Sequence, residues 1–178
     1  MKKLTISLLT LFSSFALAGN QWKVQLPGGG MRFQGELIAE ACSVETSERL
    51  LTVNMGQVRT NMFKEAGDDS EPTSFNIYLR DCSKNVSEHV YINFSGIADK
   101  NNPHIYSVSN GVNAANGVGI AIFDAGNELI PINDAPKKIA KIESKDVILH
   151  FTAKYRATSN NITGGTANAQ ALFSLTYE

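Results

Sequence analysis

The chain has 178 residues, 43% of them hydrophobic and 19% charged, and a formal net charge of −1 at pH 7. This balance excludes the strongly basic composition typical of nucleic-acid-binding proteins, and the length suits a single domain with a sizeable core. The lysines between positions 137 and 145 are interleaved with Glu143 and Asp146, which indicates a solvated loop and not a basic patch.

Residues 1–18 have the pattern of a secretory signal peptide. Lys2 and Lys3 precede an apolar run over residues 4–17, and Ala16 and Ala18 provide the small residues of a cleavage site. The run is broken by serine and threonine and is too short to span a bilayer comfortably. We therefore predict cleavage after Ala18, export of the chain, and no membrane span in the mature protein.

A short strand-like segment follows, over residues 19–30. Trp22, Val24 and Leu26 alternate with polar residues, as in a strand with one apolar side. Pro27 and three glycines follow, and they weaken any isolated strand. The segment is therefore expected to need a partner, with a loosely docked terminus as the alternative.

Alternation of apolar and polar residues with period two marks the rest of the chain as all-β. The clearest segments place these residues on one side: Phe75, Ile77 and Leu79; Val90, Ile92 and Phe94; Val147, Leu149, Phe151, Ala153 and Tyr155; Ala171, Phe173, Leu175 and Tyr177. Weaker strands are predicted at 31–41, 50–58, 117–123 and 129–132. Because polar, glycine-rich turns separate these segments and none has a helical stripe, we predict an antiparallel β-sandwich.

Cys42 and Cys82 are the chain's two cysteines. In an exported protein an even pair most simply forms one disulfide, closing a loop of about 40 residues. A metal site is the alternative, but the chain has no Cys-x-x-Cys motif and its three histidines lie far apart in the sequence.

Catalytic motifs are absent from the sequence: it has no nucleophile elbow, no zinc-protease motif and no phosphate-binding loop. His89 and His150 fall on the polar side of their strands, and His104 follows a proline in a loop. The acidic pair Asp68 and Asp69 matches no calcium-loop spacing and indicates a solvated loop. We predict no enzymatic activity, no metal and no cofactor.

Several of these segments together resemble one family, the pilin subunits of chaperone-usher fimbriae of the type 1 kind. The resemblance rests on segments that cover nearly all of the mature chain in the family's order: Phe33-Gln34-Gly35-Glu36 leading to Cys42, residues 53–58, residues 75–82, residues 117–124, residues 151–158 and residues 167–177. Within the family the chain looks most like the minor, fimbrin-like subunit.

The resemblance implies an incomplete immunoglobulin-like β-sandwich over residues 31–178, completed by a donor strand from a neighbouring subunit. It implies that residues 19–30 are this chain's own donor strand, with Trp22, Val24, Leu26 and Gly28 directed into the neighbour's groove. It also implies that Phe173, Leu175 and Tyr177 lie on the terminal strand that a periplasmic chaperone pairs with before an outer-membrane usher assembles the fimbrium on the cell surface.

The family contains subunits with different roles. Trp22 and Pro27 are not typical of the major rod subunit's extension, which favours a minor subunit that terminates or anchors the rod. A major rod pilin is the alternative. A carbohydrate-binding tip subunit is a further alternative, although tip subunits of the family generally carry a separate lectin domain for which this chain has no room.

Overall fold

The computed structural model describes Arg32, Gln34 and residues 40–45 and 51–178. Of the two units into which the chain divides, residues 1–37 and 38–178, the second contains all the strands described here. In chain order these are β1 (Ser43–Val44), β2 (Thr73–Arg80), β3 (His89–Gly96), β4 (Tyr106–Ser107), β5 (Val118–Asp124), β6 (Lys137–Lys141), β7 (Val147–Ala157) and β8 (Ala171–Tyr177). The described helical structure is one 3₁₀ turn, Thr60–Met62, so no helix among these residues could cross a membrane.

The strands form two sheets. One has five strands in the order β1, β2, β7, β5, β4, and the other has three in the order β6, β3, β8. Each of the paired strands runs antiparallel to its neighbour. The predicted all-β antiparallel architecture is confirmed.

Both sheets contribute their apolar sides to one core. Ile77 and Leu149 of the five-stranded sheet are 1% exposed, and Ile92 of the three-stranded sheet is completely buried in the same cluster. Phe151 of β7 meets Phe94 of β3 edge-on, with the ring centroids 5.4 Å apart. The period-two pattern therefore identified the buried faces of β2, β3 and β7 correctly, and the sheets pack face to face as a sandwich.

Two of the weaker strand predictions are wrong for the described residues. Residues 51–58 have no strand, and Gly56 adopts a left-handed conformation with φ of 66°. Residues 129–132 form only a single bridge, between Leu129 and Phe123. Ile130 and Ile132 are nevertheless buried, so their apolar character reflects burial in the core and not a strand ladder.

The loop predicted around the lysines is partly a strand. β6 pairs with β3 at the edge of the three-stranded sheet, with Val90 opposite Ala140. Ile139 and Ala140 pack against the core, whereas Lys138 and Lys141 are exposed. Lysines on an edge strand discourage pairing with further strands, which explains why a strand here has the composition of a loop.

Candidate functional site

Among the described strands, β8 lies at an edge of the three-stranded sheet. In the described part of the chain it pairs with β3 alone, in the register Val90 to Tyr177, Ile92 to Leu175 and Phe94 to Phe173. Its outer edge therefore offers main-chain N–H and C=O groups to a further strand.

The inward-facing residues of β8, Phe173, Leu175 and Tyr177, are here called the β8 row. All three are half-buried and pack against the main core. Their direct partners on β3 are at most 3% exposed. The two rows lie on the same side of the same sheet, and among the described residues β3 has a strand neighbour on both sides whereas β8 has one. Within the described structure, the β8 row is therefore a strip of core that lacks cover along its outer edge.

The carboxyl end of β8 is held firmly to the domain. The Tyr177 hydroxyl donates a hydrogen bond to the Cys42 main-chain oxygen at 3.1 Å. The buried Ser87 hydroxyl donates to the Glu178 main-chain oxygen at 2.7 Å, and the His89 amide donates to the same oxygen at 3.0 Å. Burial, together with the nearby Glu40, raises the pKa of Tyr177. These contacts set the position of the β8 row along the sheet.

The disulfide between Cys42 and Cys82 is present, as predicted. It joins the residue before β1 to the chain just beyond β2, and both cysteines are buried in the main core. Closing a loop of this length stabilises a fold by about 4 kcal/mol in the chain-entropy model. The alternative of a cysteine metal site is therefore wrong.

The predicted donor residues Trp22, Val24, Leu26 and Gly28 lie outside the described residues. The other half of the predicted site, the β8 row, is described, and the structure brings its three residues together on one strand. Ser87 was not foreseen from the sequence. A serine in a loop carries no signal of a contact with a residue 91 positions away.

Several titratable residues of the described chain make structural contacts. No three His, Cys, Asp or Glu residues among them are placed to hold a metal ion. His150 lies on the outer face of β7, with its Nδ1 2.8 Å from the Asn76 side-chain oxygen. Asp69, predicted to lie in a solvated loop, instead forms a two-point ion pair with Arg156 and is 24% exposed.

A protein-family model described as "Fimbrial protein" matches residues 31–178. Long polar fimbria protein A of Salmonella typhimurium is 34% identical over 180 residues, covering 100% of this chain and 98% of the relative. A fimbrin-like protein of Salmonella typhi is 38% identical over 157 residues, covering 86% of this chain and 88% of the relative.

The fold also matches a solved structure of a chaperone-usher pilus. The TM-score is 0.65 at 23% identity, and the match covers 87% of this chain and 98% of the solved one. At this identity the match shows a shared fold, an incomplete immunoglobulin-like sandwich of the kind predicted from the sequence.

Proposed function

This chain belongs to the fimbrial protein family, and we propose that it joins neighbouring subunits by donor-strand exchange. It is a structural pilin subunit of the chaperone-usher type and not an enzyme. The observation that carries the proposal is the β8 row, half-buried beside the fully covered β3 row. A strand added at the free edge of β8 would pair with its main chain and cover Phe173, Leu175 and Tyr177 together. One added strand thus satisfies both the hydrogen bonds and the apolar surface.

The proposed donor is the segment 19–30 of each chain, following a signal peptide over residues 1–18 and preceding the pilin domain at 31–178. Support comes from the alternation of Trp22, Val24 and Leu26, which provides one apolar side of a strand. Gly28 continues that side with no side chain, as suits a position where the strand lies tightly against the acceptor's core.

Before assembly, the same open edge needs temporary cover. We propose that a periplasmic chaperone pairs with β8 and shields the β8 row until an outer-membrane usher joins the subunits. Fimbrial subunits are components of pili on the cell surface. The route through the periplasm is supported by the signal-peptide pattern at residues 1–18.

We further propose a minor subunit that terminates or anchors the rod. Trp22 and Pro27 support this role, because they are not typical of the extension of a major rod subunit. A rod of many identical copies requires a donor segment that fits the groove of the same subunit. The rival role is a major rod pilin. Purified subunit held by its chaperone, mixed with synthetic extensions of sibling pilins and its own, distinguishes the two roles. A terminating subunit accepts none of them while its own extension enters the grooves of the sibling pilins, whereas a rod subunit readily accepts its own extension.

Deletion of residues 19–30 tests the donor role. The shortened subunit is expected to bind its chaperone normally, because β8 is intact, but to fail to attach to the groove of a neighbouring pilin. Attachment is measured by native gel electrophoresis of mixed subunit–chaperone complexes. Unchanged attachment would overturn the donor assignment.

Gly28→Leu is the corresponding point variant, and Gly29→Leu is its matched control. The first places a side chain on the inward side of the donor strand, and the second places the same side chain on the opposite side. Impaired attachment is expected for Gly28→Leu alone.

A further inference from the structure

Two asparagines of the chain are each followed by a glycine, Asn110 by Gly111 and Asn116 by Gly117. Glycine has no side chain to shield its main-chain nitrogen, and its backbone is freer than that of any other residue. That nitrogen can therefore reach the side-chain carbonyl carbon of the preceding asparagine and react with it. The sequence makes the two pairs equally suited to this reaction, whereas the structure places them in different surroundings.

The first pair lies at the tip of the loop between β4 and β5. Asn110 and Gly111 are both exposed, and a Cβ at Gly111 would meet nothing within 4 Å. Among the described residues, the Gly111 N–H donates to no main-chain oxygen. The Gly111 nitrogen is therefore free to turn toward the Asn110 side chain without breaking such a bond or meeting a neighbouring group.

The loop is anchored on both sides of this tip. The main-chain N–H and the hydroxyl of Ser109 donate to the Asn168 main-chain oxygen, at 2.7 Å and 3.0 Å. The Ala115 N–H donates to the Thr166 main-chain oxygen at 3.0 Å. A reaction at Asn110 can therefore alter the tip while the sandwich stays folded.

The second pair is held in place by main-chain contacts. The Asn116 N–H donates to the Thr163 oxygen at 3.2 Å, and the Thr163 N–H donates to the Asn116 oxygen at 3.1 Å. Gly117 is buried with φ of 78°, and its oxygen accepts a hydrogen bond from the Thr158 N–H at 2.8 Å. A Cβ at Gly117 would collide with the main chain of Asn161. The Gly117 nitrogen can turn toward the Asn116 side chain only after local opening, which costs free energy.

We propose that Asn110 is a site of spontaneous deamidation in the folded protein and that the fold protects Asn116. The Gly111 nitrogen loses its proton to a base in the solvent and bonds to Cγ of Asn110. The bond from Cγ to Nδ2 breaks, and the leaving nitrogen takes up a proton and departs as ammonia. Water then opens the cyclic imide at either carbonyl carbon. The product is an aspartate or an isoaspartate, and either one adds a negative charge to the loop tip.

The test follows both asparagines in the folded chain during incubation at mildly alkaline pH. Deamidation raises the mass of a peptide by about 1 Da, which mass spectrometry detects. Fragment ions that divide the peptide between residues 110 and 116 assign the change to one asparagine. Gly111→Ala adds a Cβ beside the attacking nitrogen. Gly164→Ala is the matched control, because Gly164 is also exposed and a Cβ there makes only an ordinary contact, 3.6 Å from Thr60.

Asn110 is expected to deamidate on the order of tenfold faster than Asn116, because only Asn116 requires local opening. Gly111→Ala should slow the reaction at Asn110 by a similar factor, and Gly164→Ala should leave it unchanged. In concentrated urea the two asparagines should react at similar rates, since the fold no longer protects Asn116. Equal rates in the folded chain, no reaction at Asn110, or a difference that persists in urea would overturn the proposal.

Discussion

At the scale of single residues, Asp69 and Arg156 show how a long connection is fixed to the sandwich. The Arg156 guanidinium donates to both carboxylate oxygens of Asp69, at 2.6 Å and 2.9 Å. The hydrogen bond to Asp69 raises the pKa of Arg156. Backbone bonds from Gly67 to Ala157 and from Ala157 to Asp68 complete the attachment. The connection between β1 and β2 is thereby held along the end of β7.

Asp69→Asn removes the charge of this pair while keeping the side chain's shape. We expect the free energy of unfolding to fall by about 1–2 kcal/mol, since charge-assisted hydrogen bonds are lost at side chains that are only 20–24% exposed. Urea denaturation measures the change. The control is Glu143→Gln, whose carboxylate lies 3.8 Å from Lys141 in an exposed pair, and for which we expect less than about 0.5 kcal/mol. Equal effects of the two changes would contradict the assignment.

At the scale of elements, β5 is buried on both faces. Ile122 packs into the main core, whereas Ala121 and Phe123 belong to a second cluster with Ile105 on the outer face of the five-stranded sheet. Gly119 makes the close approach possible. A Cβ at Gly119 would lie 2.7 Å from the Ile105 side chain and 2.7 Å from the Tyr106 main-chain oxygen. The missing side chain lets β4 and its preceding loop lie directly on β5.

Gly119→Ala is therefore expected to be destabilising. The added methyl group must push the β4 backbone away, at a cost of about 1–3 kcal/mol, measured by thermal or urea unfolding. Gly111→Ala is the matched control, because a Cβ there meets nothing within 4 Å, and its effect should stay within about 0.5 kcal/mol. A neutral Gly119→Ala would show that β4 does not need this close contact.

At the scale of the whole molecule, the burial of three tyrosines makes the stability of the fold depend on pH in the alkaline range. Burial raises the pKa of Tyr106, Tyr155 and Tyr177, with a contribution from Glu40 at Tyr177. The folded protein thus keeps phenolic protons that the unfolded chain loses at a pH of about 10. Because the unfolded chain then binds fewer protons, stability falls as the pH rises above about 10, and below that range the tyrosine contribution is fully present.

Tyr106→Phe isolates one of these contributions. Tyr106 is 1% exposed, and its hydroxyl makes one long contact, 3.5 Å from the Ser95 main-chain oxygen, so phenylalanine fits the same site. Between about pH 9 and 11 the unfolding free energy of the variant should fall by about 1 kcal/mol less than that of the unaltered chain. Urea denaturation across that range measures both slopes. Identical slopes would mean that Tyr106 titrates normally.

Strands were predicted correctly where apolar and polar residues alternate regularly, and less well where they do not. β2, β3, β7 and β8 were located correctly because strict alternation reports one buried face. β6 was missed because an edge strand rich in lysine resembles a loop in composition. The apolar residues at 129–132 were interpreted as a strand, but Ile130 and Ile132 are buried without a ladder, since burial alone also selects apolar side chains.

The sequence by itself determined the all-β class, the single disulfide, the inward side of the main strands and the family. The tertiary structure decided which strand has an open edge, because alternation identifies the side of a strand that faces the core but not how many neighbours the strand has. Leu175 and Ile92 look alike in the sequence, yet among the described residues Ile92 pairs with a strand residue on each side, Lys137 and Leu175, whereas Leu175 pairs with Ile92 alone.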